Sequence, residues 1–243
     1  MLDYMEILEE DINSDEIDVS SLRFNTDLNP LIWDKSEGEY VLKEDVKKKL
    51  IDIADKFSDF IRYKGSKFDP VDIVITGSNC NFNYTPTSDL DLHLYVNFDS
   101  ISCDEELISQ YLYDKKLLWA LKYDIRIKNI PIECYAGEEK EHQIKGAAVY
   151  SLLKDSWIQK PNLKDIVIDM SAVKDKAAEI MELSKRSETI DQLEKLKDRL
   201  WRMRSSGLAR RGEFSIENLT YKILRKNGTV DAINAKIRQL DSL

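Results

Sequence analysis

Between residues 42 and 61 the apolar side chains recur at three- and four-residue steps. Leu42, Val46, Leu50, Ile53, Ala54, Phe57 and Ile61 form one series, with Lys43, Lys47, Lys48 and Asp52 on the other side. That period predicts an amphipathic helix. It breaks at Gly65 and Pro70, and the next run, Val71-Asp-Ile-Val-Ile-Thr76, is β-branched and short, as in a buried strand. Gly77-Ser78 ends that strand. Residues 79–88 are rich in Asn, Tyr, Thr, Ser and Pro and leave room for a loop with at most one helical turn. From Asp89 to Phe98 the pattern alternates: Asp89, Asp91, His93 and Tyr95 face one way, Leu90, Leu92, Leu94 and Val96 the other. Such a strand has one buried side and one working side.

Asp104–Tyr123 returns to a helical pattern through Leu107, Ile108, Tyr111, Leu112, Leu117, Leu118 and Leu121. Residues 124–128 and 131–136 are two short strands joined as a hairpin, with Pro131 at the start of the second. Helices are predicted over 171–186, 188–205, 215–227 and 229–241, with Ser171, Thr189, Ser215 and Thr229 as N-caps and Gly228 ending the third. Near the start, residues 3–10 read as one short helix, and Trp33 and Tyr40 read as packing residues. Residues 138–170 give no clear element, although Tyr150-Ser-Leu-Leu and Trp157-Ile read as buried. The expected fold is α+β: a small mixed β-sheet backed by helices, followed by a helical C-terminal part. The expected division is a core with N-terminal helices over 1–168 and a helical domain over 169–243.

Composition changes this picture little. The chain has 243 residues, 42% hydrophobic and 33% charged, enough for a substantial core. No window approaches the length of a membrane span. The first 20 residues carry eight acids and no Lys or Arg, the reverse of a signal peptide, so a cytoplasmic location is expected. Cys80, Cys103 and Cys134 match neither a disulfide framework nor zinc spacing and read as reduced packing residues.

Charge is more informative. The net charge of −9 argues against nonspecific coating of DNA. Yet residues 171–243 hold 16 Lys and Arg against 11 acids, a net of +5, which leaves −14 for the preceding 170. The densest basic run, Arg199–Lys226, reads residue by residue as solvated helix faces. As a group it is the best candidate to meet a triphosphate or an RNA.

Two carboxylates at i and i+2 on a strand leave the same face and can converge on hard cations. Asp89 and Asp91 are therefore candidate ligands for two Mg²⁺ or Mn²⁺ ions, one activating an attacking hydroxyl and one gripping phosphates. Gly77 lets the backbone approach a phosphate closely, and Ser78 offers a hydroxyl and an N–H at the next turn. With only His93 and His142 in the chain, neither zinc catalysis nor a Ser-His-Asp triad is supported. His93 reads as a packing residue or a supporter of the site, and His142 as a surface residue. Asn81, Asn83 and Tyr84 could touch a nucleotide, but turn chemistry explains them equally well.

Thr76-Gly77-Ser78, ten further residues and then Asp89-Leu90-Asp91-Leu92 resemble the nucleotidyltransferase motif of the DNA polymerase beta-like superfamily. More weakly, the whole chain resembles the uncharacterised predicted nucleotidyltransferases of tailed bacteriophages, through Tyr150-Ser-Leu, Trp157 and the run at 212–219. On that resemblance the cytoplasm would be that of the phage's host. The superfamily adds a third acid between hydrophobic residues on a later strand. Ile132-Glu133-Cys134 matches it, with Glu138 and Glu139 as rivals. The resemblance implies metal-dependent attack on the α-phosphate of an NTP with release of pyrophosphate. Asp89, Asp91 and Glu133 would hold the ions, and Ser78 the β and γ phosphates. Helical-domain lysines reach the triphosphate in this superfamily, which makes Lys222, beside Tyr221, a candidate nucleotide-binding residue.

The Gly-Ser-x-Ala-Arg-Gly of minimal nucleotidyltransferases is absent, since this chain reads Gly-Ser-Asn-Cys-Asn-Phe at 77–82. The Arg-Arg-Asp motif of CCA-adding enzymes is not evident either. The resemblance therefore leaves the acceptor open among an RNA 3′ end, a protein, a small molecule and a second nucleotide. A catalytically inactive nucleotide- or RNA-binding protein on the same fold is the alternative. A structural or host-interaction protein whose acids are a solvated face is the other.

Overall fold

The structure is a computed structural model that describes residues 12–22, 24–62, 69–101, 104–138, 146–163 and 167–242. The expected helix over 3–10, His142, Glu139 and Cys103 lie outside the described residues. Backbone contacts divide the chain into two compact units, one of residues 24–166 and one of residues 1–23 with 167–243. The N-terminal residues 12–22 thus group with the helical unit rather than with the sheet.

The sheet-bearing unit opens with a hairpin, β1 (Trp33–Ser36) and β2 (Glu39–Leu42), turned by Glu37 and Gly38 at positive φ. Helix α1 (Glu44–Ile61) follows, with Glu44 and Asp45 in its first turn, where the helix dipole favours acids. Its buried stripe is Val46, Leu50, Ile53, Ala54, Phe57 and Ile61, the series expected from the period.

Next come β3 (Asp72–Thr76), a 3₁₀ turn (Ser78–Cys80), β4 (Leu90–Tyr95), α2 (Glu105–Lys122), β5 (Arg126–Ile127), β6 (Ile130–Gly137), β7 (Val149–Ser151) and β8 (Ser156–Gln159). These form a six-stranded mixed sheet in the order β5-β6-β4-β3-β7-β8. Strands β4 and β6 are parallel and linked through α2, because parallel neighbours need a long crossover. The other pairings are antiparallel. Strands β7 and β8 lie in the stretch that gave no clear element from sequence. Their tight turn uses Asp155 at positive φ, a position no glycine marks.

Ile73 and Ile75 of β3, Leu90, Leu92 and Leu94 of β4, and Ile132, Cys134 and Ala136 of β6 share one core with α1 and with Ile108, Leu112 and Trp119 of α2. Leu90, Leu92 and Leu94 are at most 1% exposed. Burying three such side chains contributes about 1.5–3 kcal/mol each, which locks the phase of β4. The opposite face must then carry Asp91 and His93, and it does so half-buried.

The helical unit contains α3 (Met170–Arg186), α4 (Ile190–Arg211), α5 (Ile216–Lys226) and α6 (Thr229–Asp241). Thr189 and Gln192 form a reciprocal capping box, and Ser215 caps α5 as expected. Asp169 rather than Ser171 caps α3, and Gly228, left-handed, precedes α6 in place of a Thr229 cap. Helix α4 runs six residues past its expected end at 205. Gly207 sits inside this extension, where the start of α5 packs against it: a Cβ there would lie 2.6 Å from the Glu217 Cβ. The core of this unit joins Val173, Ala177, Ile180, Leu193, Leu196, Leu200, Leu219, Ile223 and Leu224 with Ile17 and Leu22.

Candidate active site

The antiparallel register sets Asp91 opposite Thr76, the last residue of β3. The parallel register on its other side sets Asp91 beside Glu133. Asp89 lies just before β4. Asp89, Asp91 and Glu133 each offer an oxygen, and these oxygens lie within 4.8 Å of one another. All three residues are half-buried, so the group is open to solvent on one side. Glu138 follows the end of β6 and lies outside this cluster. A donor set made only of carboxylate oxygens suits a hard divalent cation.

Gly77 closes the site from the β3 side. Its φ of 83° and ψ of −167° lie in a region essentially reserved for glycine. A Cβ on it would fall 1.9 Å from Asp91 Oδ2, so its hydrogen is what admits the carboxylate. The turn that follows is tightened by Cys80 N–H donating to the Gly77 carbonyl and Asn81 N–H to that of Ser78. Ser78 is half-buried at the head of this turn, directly after the glycine that meets the Asp91 carboxylate. Burial first, and then the charge of Asp91, push the Cys80 thiol well up and keep it a neutral packing group.

Residues that sequence reasoning missed hold this geometry. Asn79 is completely buried; its amide donates to the carbonyls of Ser88 (3.2 Å) and Asp89 (2.6 Å). Its own Oδ1 accepts from Asn29 Nδ2 at 2.7 Å, and its carbonyl accepts from Trp33 Nε1 at 2.8 Å. Asn29 Oδ1 in turn accepts from the Leu31 N–H. The backbone of Asp89 is thereby tied to the β1 region. The available signal was an Asn beside Gly-Ser, which reads as generic turn chemistry.

Lys116, on α2, is the other omission. Its Nζ lies 2.5 Å from Glu133 Oε1 and 5.4 Å from the centre of the Tyr135 ring. From sequence it was one more helix lysine.

Asn81 and Asn83 are buried: Asn81 donates to the Gly146 carbonyl and accepts from Phe82 N–H, a structural role. Tyr84 has its carbonyl held by the Asn25 amide. His93 packs against Tyr135, ring centres 5.3 Å apart. Cys134 is buried and free, its thiol pushed up to about 12 by burial.

Lys222 belongs to the helical unit, where it pairs with Glu213. Within the basic run, Arg199 meets Glu179, Arg202 meets Asp198, and Arg210 meets Glu217. Arg204 lies over the Tyr221 ring at 4.8 Å. Much of that positive charge is therefore neutralised locally. No helix among the described residues is long and apolar enough to cross a membrane.

No family model and no curated protein matches the chain. A match among solved structures is a STING-associated CdnE c-di-GMP synthase from Capnocytophaga granulosa. It is 10% identical over 83% of this chain and 84% of that one, with a TM-score of 0.24. A likeness of that grade carries no argument here.

Proposed function

We propose that the chain is a metal-dependent nucleotidyltransferase, transferring NMP from an NTP to a hydroxyl acceptor with release of pyrophosphate. The observation that carries this reading is the meeting of three carboxylates with a glycine turn. Asp89, Asp91 and Glu133 converge within 4.8 Å, and Gly77 presses against Asp91 so closely that no other residue fits.

In this reading Asp89, Asp91 and Glu133 hold the divalent cations, Mg²⁺ or Mn²⁺, two when substrate is bound. The cations supply charge neutralisation at the phosphates and lower the proton affinity of the attacking hydroxyl. Glu133, its side chain 43% exposed, is the member of the trio we assign to the acceptor side, where it can take up the hydroxyl's proton. Ser78 offers its hydroxyl and its N–H, at the start of the 3₁₀ turn, to the β and γ phosphates. Gly77, whose missing side chain makes room for the Asp91 carboxylate, brings the backbone of the phosphate-holding turn up against the cation ligands. Lys222 remains a candidate contact to the triphosphate only if it leaves Glu213. The resemblance to nucleotidyltransferases of tailed phages, and a cytoplasmic site of action, belong to this same proposal.

The test is incubation with Mg²⁺ or Mn²⁺ and each labelled NTP, with and without total RNA and cell extract, following label and pyrophosphate. Transfer that is lost in Asp89→Ala and Asp91→Ala is the expected result. Binding of NTP without turnover would favour an inactive nucleotide-binding protein, and neither binding nor turnover would end the proposal.

A further inference from the structure

We infer that Lys116 is a resident counter-ion of the carboxylate site, competing with a divalent cation for Glu133 until substrate arrives. This rests on reading Asp89, Asp91 and Glu133 as a cation site. Three carboxylates whose oxygens lie within 4.8 Å of one another carry a formal charge of −3 and repel one another when nothing neutralises them. The backbones of Asp91 and Glu133 cannot separate to relieve this, because they are paired across the parallel register of β4 and β6.

The ammonium of Lys116 supplies a positive charge from a different element. It contacts Glu133 Oε1 at 2.5 Å and is only 24% exposed, so it is held in the site rather than spread into solvent. A second contact makes the position a built one. Lys116 Nζ also lies 5.4 Å from the centre of the Tyr135 ring, two residues along β6 on the face that carries Glu133. Tyr135 is itself set by its packing against His93.

The two contacts define two roles for one cation. Against Glu133 it keeps the empty carboxylate group assembled. Against Tyr135 it has somewhere to stay when a divalent cation takes over the glutamate. Lys116 removes one unit of the negative charge that draws cations into the site, so the pull on a second divalent ion is weakened until an anionic substrate brings further negative charge. Lys116 is on this account a positioning residue that sets how much metal the site takes before substrate.

The test is a Mn²⁺ titration without nucleotide, followed by the paramagnetic resonance signal of free Mn²⁺. Wild type, Lys116→Met, Lys116→Gln, Lys116→Arg, Glu133→Gln and the Lys116→Met/Glu133→Gln pair are compared, with folding of each checked by circular dichroism. Lys116→Met and Lys116→Gln are expected to bind Mn²⁺ about tenfold more tightly, the order expected for removing a unit charge beside a divalent ion in a water-exposed site. Lys116→Arg should stay at the wild-type affinity, and the gain should shrink in the Glu133→Gln background. A purely structural role for Lys116 predicts the opposite sign, because a loosened Glu133 is a poorer ligand. Unchanged or weaker binding in both neutral variants, with binding by wild type that Asp89→Ala and Asp91→Ala abolish, overturns the counter-ion role and leaves the proposed function standing. No Mn²⁺ binding by wild type or either neutral variant overturns both.

Discussion

Gly77→Ala tests the contact on which the site depends most. The added methyl meets two separate costs. The backbone at φ 83° and ψ −167° is one that a residue with a Cβ occupies at a penalty of about 1–3 kcal/mol. The methyl would also lie 1.9 Å from Asp91 Oδ2, where real Cβ contacts do not come below 3.0 Å. The carboxylate must therefore retreat by about 1.1 Å, the difference between those two distances. For a chain of this size the backbone term alone lowers the melting temperature by roughly 2–12 °C. Displacing Asp91 should weaken Mn²⁺ binding by about 10–100-fold, the range for disturbing a ligand's support. If the chain transfers nucleotides, turnover should fall by about 10²-fold, since a misplacement of ~1 Å in a reacting geometry costs that much. The control is Gly38→Ala, a glycine also at positive φ (85°) but with nothing within 4 Å of its added methyl. Thermal unfolding and Mn²⁺ titration of both variants separate strain from contact. If Gly77→Ala matches Gly38→Ala in both measurements, the reasoning about Asp91 is refuted.

Two further substitutions probe the supports. Asn79→Ala removes both donors to the Ser88 and Asp89 carbonyls and orphans the Asn29 amide. It should cost about 1–3 kcal/mol in urea unfolding, and a loss under about 0.5 kcal/mol would mean that water replaces these bonds. Gly207→Ala should invert the usual helix rule. In an open helix the change stabilises by about 1 kcal/mol, but here the methyl meets the Glu217 Cβ at 2.6 Å and Ser215 Oγ at 2.8 Å. A loss of about 1–3 kcal/mol is expected instead, and a rise in melting temperature would contradict the packing of α4 on α5.

What could be read in advance follows from where the determining contacts lie along the chain. The alternation from Asp89 to Phe98 exposed both the strand and its acidic face, because Leu90, Leu92 and Leu94 are buried by their own phase. Glu133, between Ile132 and Cys134, stood out only through the resemblance to a superfamily pattern, and the three acids do converge. Lys116 could not be read so. Helix α2 has apolar residues most of the way round, with Leu107, Leu118 and Leu121 exposed, so its period does not say which side meets the sheet. Only the crossover between β4 and β6 turns Lys116 toward Glu133. The β1–β2 hairpin lacked a clear alternation, its strands showing one buried residue each. Strands β7 and β8 were hidden by their shortness and by a turn built on Asp155 rather than glycine. The grouping of residues 12–22 with the helices rests on partners far along the chain, such as Ile12 N–H donating to Glu182 Oε1 at 2.7 Å.

The central place of β4 has a consequence for how this chain can tolerate gain and loss of residues. Asp91 answers to two registers at once, antiparallel to Thr76 and parallel to Glu133. One residue inserted within β4 would exchange the parity of the strand, sending an acid into the leucine layer and a leucine into the acid cluster. The same insertion at the exposed tip, Pro86-Thr87, only lengthens a loop, where even a doubling adds about 0.6 kcal/mol. Length variation in this protein should therefore collect on the surface side of that loop. Between Asp89 and Tyr95 even a single-residue deletion would dismantle the core and the carboxylate cluster together.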